Sequence, residues 1–140
     1  MKCVVVDDEN MGRKLLEENV RQIPFLELVA SCKNAFEAME ALQSHDVDLI
    51  FLDIQMDEMN GLEVIKKLGN SYKYVLCTAY SEFAVNGYDL DAVDYLLKPI
   101  TFVRFERALI RVDKQIKLTN NIFRTSIDDY IYIKTESKGK

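Results

Sequence analysis

The sequence predicts an α/β fold in which a five-stranded parallel sheet carries helices on both faces. Strand-like and helix-like segments alternate strictly, in five successive pairs, along the 140 residues. The strand-like segments are continuously apolar, as strands buried on both faces are, and "VDLIFLDI" at 47–54 is the clearest example. Because crossovers between parallel strands are right-handed, the helices of such a chain cover both faces of the sheet.

Hydrophobic periodicity defines the first two strand and helix pairs. The first strand, "KCVVVDD", ends in acid, and the second is "LELVASC". The helix between them runs to Pro24, and its apolar residues at helical spacing are Met11, Leu15, Leu16, Val20 and Ile23. The second helix, "NAFEAMEALQS", has Asn34 as its N-cap with Glu37 three residues later. Its predicted core face consists of Phe36, Met39 and Leu42.

The remaining three pairs follow the same order. The third helix begins at about Gly61 and ends at Gly69, and its inward residues are Leu62, Ile65 and Leu68. The fourth and fifth strands are "YKYVLCTAY" and "AVDYLLK", and the helix between them, "EFAVNGYDL", is weak because Gly87 interrupts it. After Pro99, Thr101 can cap a fifth helix. The apolar repeat of that helix is Phe102, Phe105, Leu109, Val112 and Ile116.

Composition narrows the possible function classes. With 49% apolar residues the chain can fill the core of one compact domain. No stretch approaches the roughly 18 apolar residues of a membrane helix, and we expect a cytoplasmic protein. Cys3, Cys32 and Cys77 lie in strand-like segments without metal-type spacing, which favours buried reduced thiols. His45 is the only histidine, which excludes multi-histidine metal sites, and its polar surroundings predict a solvated loop.

Charge is distributed unevenly along the chain. Residues 1–100 hold 9 Lys and Arg against 18 Asp and Glu, whereas residues 101–140 hold 9 against 5. The acidic balance argues against nucleic acid as a partner of the first hundred residues. The basic end is too short to form a complete nucleic-acid-binding domain.

Polar side chains follow four of the five predicted strands. Asp7 and Asp8 close the first strand, Asp53 the third, Thr78 the fourth and Lys98 the fifth. Each has an ordinary structural explanation, such as an acid at a helix start, a turn residue or a solvated lysine. Together they are harder to explain in that way, because the carboxyl ends of parallel strands meet at the edge of the sheet where ligands bind.

Electrostatics predicts a cation at this edge. Three carboxylates within several ångströms of one another repel by roughly 4 kcal/mol per close pair at an effective dielectric near 20, so the cluster needs a cation or protons. Oxygen ligands alone suit Mg²⁺ rather than zinc. Lys98, from another strand, can balance one carboxylate or a bound phosphate.

The strand-end residues also carry a resemblance to a known family. They are the pair Asp7-Asp8, Asp53 after an apolar strand, Thr78-Ala79 and Lys98-Pro99. As a set, at these spacings, they resemble the receiver domain of bacterial two-component response regulators. The resemblance covers about residues 1–118 and implies the flavodoxin-like (βα)5 receiver fold. It also implies a phosphorylatable signalling switch rather than an enzyme, assisting only its own phosphorylation and slow dephosphorylation.

The resemblance assigns a role to each site residue. Asp53 is the phosphoacceptor and receives its phosphoryl group from a sensor histidine kinase. Asp8, Asp53 and the backbone carbonyl of Gln55 bind Mg²⁺, and Asp7 acts through water. Lys98 grips a phosphate oxygen, and the protein contributes mainly positioning and neutralisation.

Thr78 and Tyr95 resemble the switch pair of that family. The threonine hydroxyl moves to the phosphate, the aromatic ring moves inward, and the face built from the fourth helix, fifth strand and fifth helix changes. The alternative for Tyr95 is an aromatic that simply packs on an edge strand. We expect phosphorylation to promote homodimer formation through this face.

One position departs from the family pattern. The loop "DIQMDEMNG" carries Asp57 where the family usually has proline. An extra acid therefore lies near the predicted metal site, and the loop is less constrained. Gly61 remains where the loop turns into the third helix.

Residues 119–140 fit no sixth strand and helix pair. We interpret them as a linker, and the alternation in "DYIYIKTESKGK" resembles the opening strand of a LytTR-type DNA-binding domain. A disordered basic tail is the alternative. If the first interpretation holds, the full-length protein regulates transcription and contacts DNA only through a C-terminal domain absent from these residues.

Other function classes remain as alternatives. A stand-alone or relay receiver without DNA-binding output has the same site. A haloacid-dehalogenase-type phosphatase needs a second Asp two positions after the nucleophile, where this sequence has Gln55. A flavodoxin-like electron carrier needs a phosphate loop after the first strand, and "DDENMGR" would repel a phosphate that lacks a metal.

Overall fold

The computed structural model describes residues 1–57, 59–79 and 92–119. Within them lie the strands β1 (Lys2–Val6), β2 (Glu27–Cys32), β3 (Leu49–Asp53), β4 (Lys73–Thr78) and β5 (Ala92–Leu97). The helices are α1 (Asn10–Arg21), α2 (Ala35–Ser44), α3 (Gly61–Leu68) and α4 (Phe102–Thr119), of which α4 is the fifth helix of the sequence prediction. The weak helix predicted between β4 and β5, and residues 120–140, lie outside the described part of the chain.

All five strands are parallel and form one sheet in the order β2-β1-β3-β4-β5, which confirms the predicted α/β class. The order reverses between β1 and β3, since the chain first adds β2 on one side of β1 and then β3 on the other. Val6 pairs with Leu52 across this boundary. The residues that follow each of them, Asp7 and Asp53, therefore emerge side by side where α/β sheets bind ligands.

The core has two halves, one on each face of the sheet. On one face α1 and α4 pack through Leu16, Val20, Phe105 and Leu109, and Phe105 stacks on Phe51 of β3 with ring centroids 5.0 Å apart. On the other face α2 and α3 pack through the residues Ala35, Ala38, Val64 and Ile65. Helices on both faces are thus confirmed.

Three predicted helix ends are also confirmed. The Asn34 side chain accepts a hydrogen bond from the Glu37 N–H at 2.8 Å, and the Thr101 hydroxyl accepts one from the Arg104 N–H at 3.2 Å. Gly69 ends α3 with φ of 78°, a left-handed conformation that favours glycine. The three cysteines are buried and free, and His45 is exposed at the end of α2.

Two predicted helix faces were only partly right. In α1, Met11 and Leu15 are 69% and 49% exposed, and the buried face continues from Leu16 to Asn19 and Val20. Ile23, just after the helix, is also buried, and Gly12 at the start of the helix faces Asp7 and Lys98. Leu16, Val20 and Ile23 were therefore predicted correctly, whereas the prediction of Met11 and Leu15 was wrong.

In α2 the error has a different cause. Phe36 is 67% exposed, and the buried residues of the helix are Ala35 and Ala38. Ala41 and Leu42 pack beside them, so Leu42 is part of the predicted face that does reach the core. Small residues let α2 approach the sheet closely, and the large aromatic ring is left on the solvent side.

Candidate functional site

The strand-end acids converge at the edge of the sheet. Asp7 is fully buried, Asp53 is 5% exposed, and Asp8 is the most exposed of the three. Each offers a carboxylate oxygen, and these three oxygens lie within 4.8 Å of one another. The fold therefore brings Asp53 next to the adjacent pair Asp7 and Asp8, which lie 46 and 45 residues earlier in the sequence.

Lys98 supplies one positive charge to two buried carboxylates. Its Nζ lies 2.9 Å from Asp7 Oδ2 and 3.5 Å from Asp53 Oδ2. Burial would lower the pKa of Lys98, but the hydrogen bond to Asp7 and the charges of both carboxylates raise it above its usual value. Lys98 is thus held in its charged form, closer to Asp7 than to Asp53.

The negative charge of Asp53 is only partly compensated by its neighbours. Burial, and then the negative charge of Asp7, raise the pKa of Asp53 to about 7, while Lys98 and the Gln55 N–H oppose this rise. The Gln55 N–H donates to Asp53 Oδ1 at 3.2 Å. The rise in pKa comes first from burial, and the charge of Asp7 adds to it because Asp53 and Asp7 share the single ammonium group of Lys98.

Asp7 is fixed by contacts on every side. Its Oδ1 accepts a hydrogen bond from the Glu9 N–H at 2.9 Å, and its Oδ2 accepts one from Lys98. Its N–H donates to the Cys32 carbonyl at 3.0 Å, and its carbonyl accepts from Arg13 Nη1 at 2.9 Å. Sequence reasoning did not find Arg13, because an arginine in the first turn of a helix has no distinctive spacing.

The loop from β3 to α3 holds Asp53 through its backbone. The Gly61 N–H donates to the Ile54 carbonyl at 2.8 Å, and a Cβ at Gly61 would lie 2.6 Å from the Asp53 carbonyl oxygen. Only glycine allows this close approach. Asn60 caps α3 by accepting from the Glu63 N–H at 2.9 Å.

An open cavity of about 230 Å³ adjoins the acidic cluster. It is lined by Asp8, Lys33, Asn34, Ala35, Met56, Asp57 and Met59. Asp57 is exposed, so the acid that departs from the family pattern lies at the rim of the site and not within the buried cluster.

The donor set fits Mg²⁺. Carboxylate oxygens are hard ligands of the kind that this ion prefers, and the cluster contains neither a thiol nor an imidazole. The excess negative charge around Asp53 gives a divalent cation a favourable place to bind. Asp7, Asp8 and Asp53 could hold the ion, while the predicted contribution of the Gln55 carbonyl stays a prediction.

Thr78 and Tyr95 lie on the neighbouring strands β4 and β5. Thr78 is fully buried, and its carbonyl accepts a hydrogen bond from the Lys98 N–H at 2.7 Å, so it adjoins the lysine of the site. Burial raises the pKa of Tyr95 to about 12, and its hydroxyl has no hydrogen-bond partner within the described residues. Their predicted role as a switch pair stays a prediction.

A second charged cluster, which was not predicted from the sequence, lies beside Tyr95. We call it the Asp94 cluster, and it consists of Asp94, Arg104 and Arg111. Arg104 donates two hydrogen bonds of 2.8 Å to the two Asp94 oxygens, and Arg111 donates a third, also of 2.8 Å. Arg104 Nη2 also donates to the Tyr95 carbonyl at 3.1 Å, which ties β5 to α4.

The Asp94 cluster has the opposite electrostatic balance to the acidic site. Burial alone would raise the pKa of Asp94, but hydrogen bonds from Arg104 and the Tyr95 N–H, and the charges of both arginines, hold it below its usual value. This carboxylate is fully compensated by groups of the protein itself.

Comparison with known proteins identifies the family. A model of the response regulator receiver domain matches residues 3–110, and the chain belongs to this family. The chain is 36% identical over 125 residues to the sensory transduction protein LytR of Staphylococcus haemolyticus, covering 87% of this chain and 49% of LytR. It is 36% identical over 117 residues to the transcriptional regulatory protein BtsR of Escherichia coli, covering 82% of this chain and 49% of BtsR.

A solved structure agrees with this assignment. The response regulator TrrA of Thermotoga maritima, crystallised in complex with Mg²⁺ and BeF, has a TM-score of 0.69 and 32% identity, covering 79% of this chain and 97% of that one. The chain is thus the receiver domain of a response regulator and has transcriptional regulators among its relatives. It spans about half the length of the curated relatives it matches. None of the described helices is both long enough and apolar enough to cross a membrane.

Proposed function

We propose that this chain is a phosphorylatable switch in which Asp53 accepts a phosphoryl group from a sensor histidine kinase in the presence of Mg²⁺. The observation that carries the proposal is the charge imbalance at the edge of the sheet. Asp53 is buried, shares a single ammonium group with Asp7, and lies with Asp7 and Asp8 in a cluster of carboxylate oxygens. Membership of the receiver family supports the same conclusion.

The proposed magnesium ligands are Asp8, Asp53 and the carbonyl of Gln55, with Asp7 acting through water. Both oxygens of Asp7 already accept hydrogen bonds from Glu9 and Lys98, which favours an indirect role. When bound, Mg²⁺ neutralises negative charge that develops on the transferred phosphoryl group. The structure of TrrA with Mg²⁺ and BeF supports this assignment by similarity.

In the proposed transfer an oxygen of Asp53 attacks phosphorus while the bond between phosphorus and the histidine nitrogen breaks. The bonding electrons leave with the imidazole, and Asp53 becomes an acyl phosphate. Lys98, which contacts both Asp7 and Asp53, then pairs with an oxygen of the phosphate on Asp53. The Thr78 hydroxyl, at the end of the adjacent strand, turns toward the phosphate.

The output of the switch is a change on the surface formed by the predicted fourth helix, β5 and α4. The ring of Tyr95 moves inward when Thr78 moves toward the phosphate, and the altered surface forms a homodimer. Residues 119–140 then lead to a LytTR-type DNA-binding domain, so the full-length cytoplasmic protein regulates transcription. The relatives LytR and BtsR, each about twice the length of this chain, support this larger arrangement.

Acetyl phosphate and Mg²⁺ test the phosphoacceptor directly. Intact-mass spectrometry should show the mass of one added phosphate on the wild type and none on the Asp53→Asn variant. The matched control is Asp57→Asn, which removes an exposed acid from the same loop and should still be labelled. Labelling of Asp53→Asn to the wild-type extent would defeat the proposal.

Sedimentation velocity tests the proposed dimer. Beryllofluoride with Mg²⁺ should shift the wild type toward a dimer and should leave Asp53→Asn a monomer. A wild type that stays monomeric under conditions in which beryllofluoride is bound would contradict the proposed dimer without affecting the phosphoacceptor assignment.

A further inference from the structure

Gly12 lies in the first turn of α1 and faces the ion pair between Asp7 and Lys98. A Cβ atom at this position would lie 2.5 Å from Asp7 Oδ2 and 3.2 Å from Lys98 Nζ. The first distance is shorter than carbon and oxygen atoms tolerate without a bond. The oxygen that accepts the lysine hydrogen bond therefore occupies space that exists only because residue 12 has no side chain.

The backbone conformation gives no reason for glycine at this position. The only described glycine with a positive φ is Gly69, so Gly12 has a conformation that any residue can adopt. Glycine is also the poorest helix former after proline, and here it lies inside a helix of 12 residues. The close approach of Asp7 remains as its structural reason.

Asp7 cannot easily move away from an added methyl group. Its second oxygen is held by the Glu9 N–H, its own N–H by Cys32 and its carbonyl by Arg13. Its side chain is fully buried. A methyl group at residue 12 would therefore act on the contact between Asp7 and Lys98, the one part of the cluster with a flexible partner.

We propose that Gly12 is a positioning residue of the magnesium and phosphate site. It acts through Asp7 and Lys98 and need not touch the ion or the phosphate itself. The inference rests on the proposed function for its consequence in Mg²⁺ binding, while its effect on Asp7 and Lys98 holds without any metal.

The Gly12→Ala variant should bind Mg²⁺ about 10- to 100-fold more weakly, as is usual when the support of a metal ligand is disturbed. Isothermal titration calorimetry of Mg²⁺ into metal-free protein measures this directly. The control is Met11→Ala on the same helix turn, where the side chain is 69% exposed and the affinity should match the wild type. Wild-type affinity in Gly12→Ala would overturn the proposal.

A second measurement in EDTA separates this inference from the proposed function. Alanine favours the helix, so an effect of helix propensity alone would raise the urea midpoint of unfolding. In the wild-type background we expect Gly12→Ala to lower the midpoint, because the methyl group strains the ion pair. In an Asp7→Ala background, which removes the clashing carboxylate, the same substitution should raise it.

The reversal of sign is specific to the contact with Asp7. A midpoint raised in both backgrounds would overturn the inference, even if Mg²⁺ binding is normal in the wild type. Failure of the wild type to bind Mg²⁺ would instead count against the proposed function, and the reversal in EDTA would still support the role of Gly12. If Gly12→Ala alone fails to fold, recovery of folding in the double variant supports the inference.

Discussion

Asp53 and Asp94 are both carboxylates buried at strands of the same sheet, and they are compensated very differently. Asp53 is 5% exposed and shares one lysine with Asp7, whereas Asp94 is 7% exposed and accepts hydrogen bonds from two arginines. The pKa of Asp53 is raised to about 7, and the pKa of Asp94 is lowered. Nearly equal burial thus accompanies opposite shifts.

The difference shows which buried charge is fully compensated within the protein and which one needs a further partner. At Asp94 two guanidinium groups outnumber one carboxylate, so the protein itself satisfies the charge and β5 is fastened to α4. At Asp53 two buried carboxylates and the nearby Asp8 outnumber one ammonium. A site that lacks positive charge in the folded protein can bind a cation and then a phosphoryl group, while a closed ion cluster contributes to structure.

The largest expected effect is the difference in the free energy of unfolding between Asp94→Asn and Asp53→Asn in metal-free protein. Asp94→Asn should lower the free energy of unfolding by about 2 to 3 kcal/mol, because two arginines lose charged hydrogen bonds but remain partly hydrated. Asp53→Asn should leave the free energy of unfolding unchanged or raised, because it relieves repulsion with Asp7. Urea denaturation in EDTA measures both.

The exposed Asp57→Asn is the matched control for this comparison and should change the free energy of unfolding by less than about 0.5 kcal/mol. Equal losses in Asp53→Asn and Asp94→Asn would mean that the two carboxylates are compensated alike. The distinction between a site and a structural cluster would then fail.

A somewhat smaller effect is expected from Mg²⁺. At a free concentration ten times its dissociation constant, Mg²⁺ should raise the free energy of unfolding of the wild type by about 1.4 kcal/mol, since it binds only the folded protein. Asp94→Asn should keep this response in full, because the Asp94 cluster takes no part in the site. Asp8→Asn, which removes a proposed ligand, should lose most of it.

Urea denaturation with and without Mg²⁺ measures these responses at constant ionic strength. A sodium salt at the same ionic strength, used in place of the Mg²⁺ salt, controls for general screening of charges. If Asp94→Asn lost the Mg²⁺ response while remaining folded, the two charged clusters would be energetically coupled, contrary to the comparison.

The acidic site could be predicted from sequence because its residues mark strand ends. An apolar strand that stops at Asp7 or Asp53 shows where the side chain emerges, and a parallel sheet sends all such ends to one edge. Lys98 could be predicted for the same reason, because it directly follows β5. No tertiary detail was needed to bring these groups together.

The Asp94 cluster and the orientation of α1 could not be predicted in this way. Asp94 meets Arg104 and Arg111 at separations of 10 and 17 residues, which match no strand or helix period. Asn19 of α1 is buried and Gly12 faces Asp7 and Lys98, and the places of both residues depend on what they contact rather than on their hydrophobicity. Such features require the packed structure.

The smallest expected effect is the response of Asp94 to acid. A carboxyl group whose pKa is lower in the folded protein than in the unfolded chain stabilises the fold above its ordinary pKa and loses that contribution as the pH falls. With an unfolded pKa near 3.9, the advantage of the wild type over Asp94→Asn should shrink by roughly 1 kcal/mol between about pH 5 and pH 3.

The difference in the free energy of unfolding between the wild type and Asp94→Asn separates the contribution of Asp94 from that of the acidic site. In metal-free protein the raised pKa of Asp53 acts in the opposite direction, since the fold loses stability as the pH rises toward about 7 and the buried group ionises. Asp53 is present in both proteins, so its contribution cancels. Urea midpoints measured in EDTA across the acid range provide the difference, and an advantage that stays constant down to about pH 3 would show that Asp94 is not held in its charged form by its arginines.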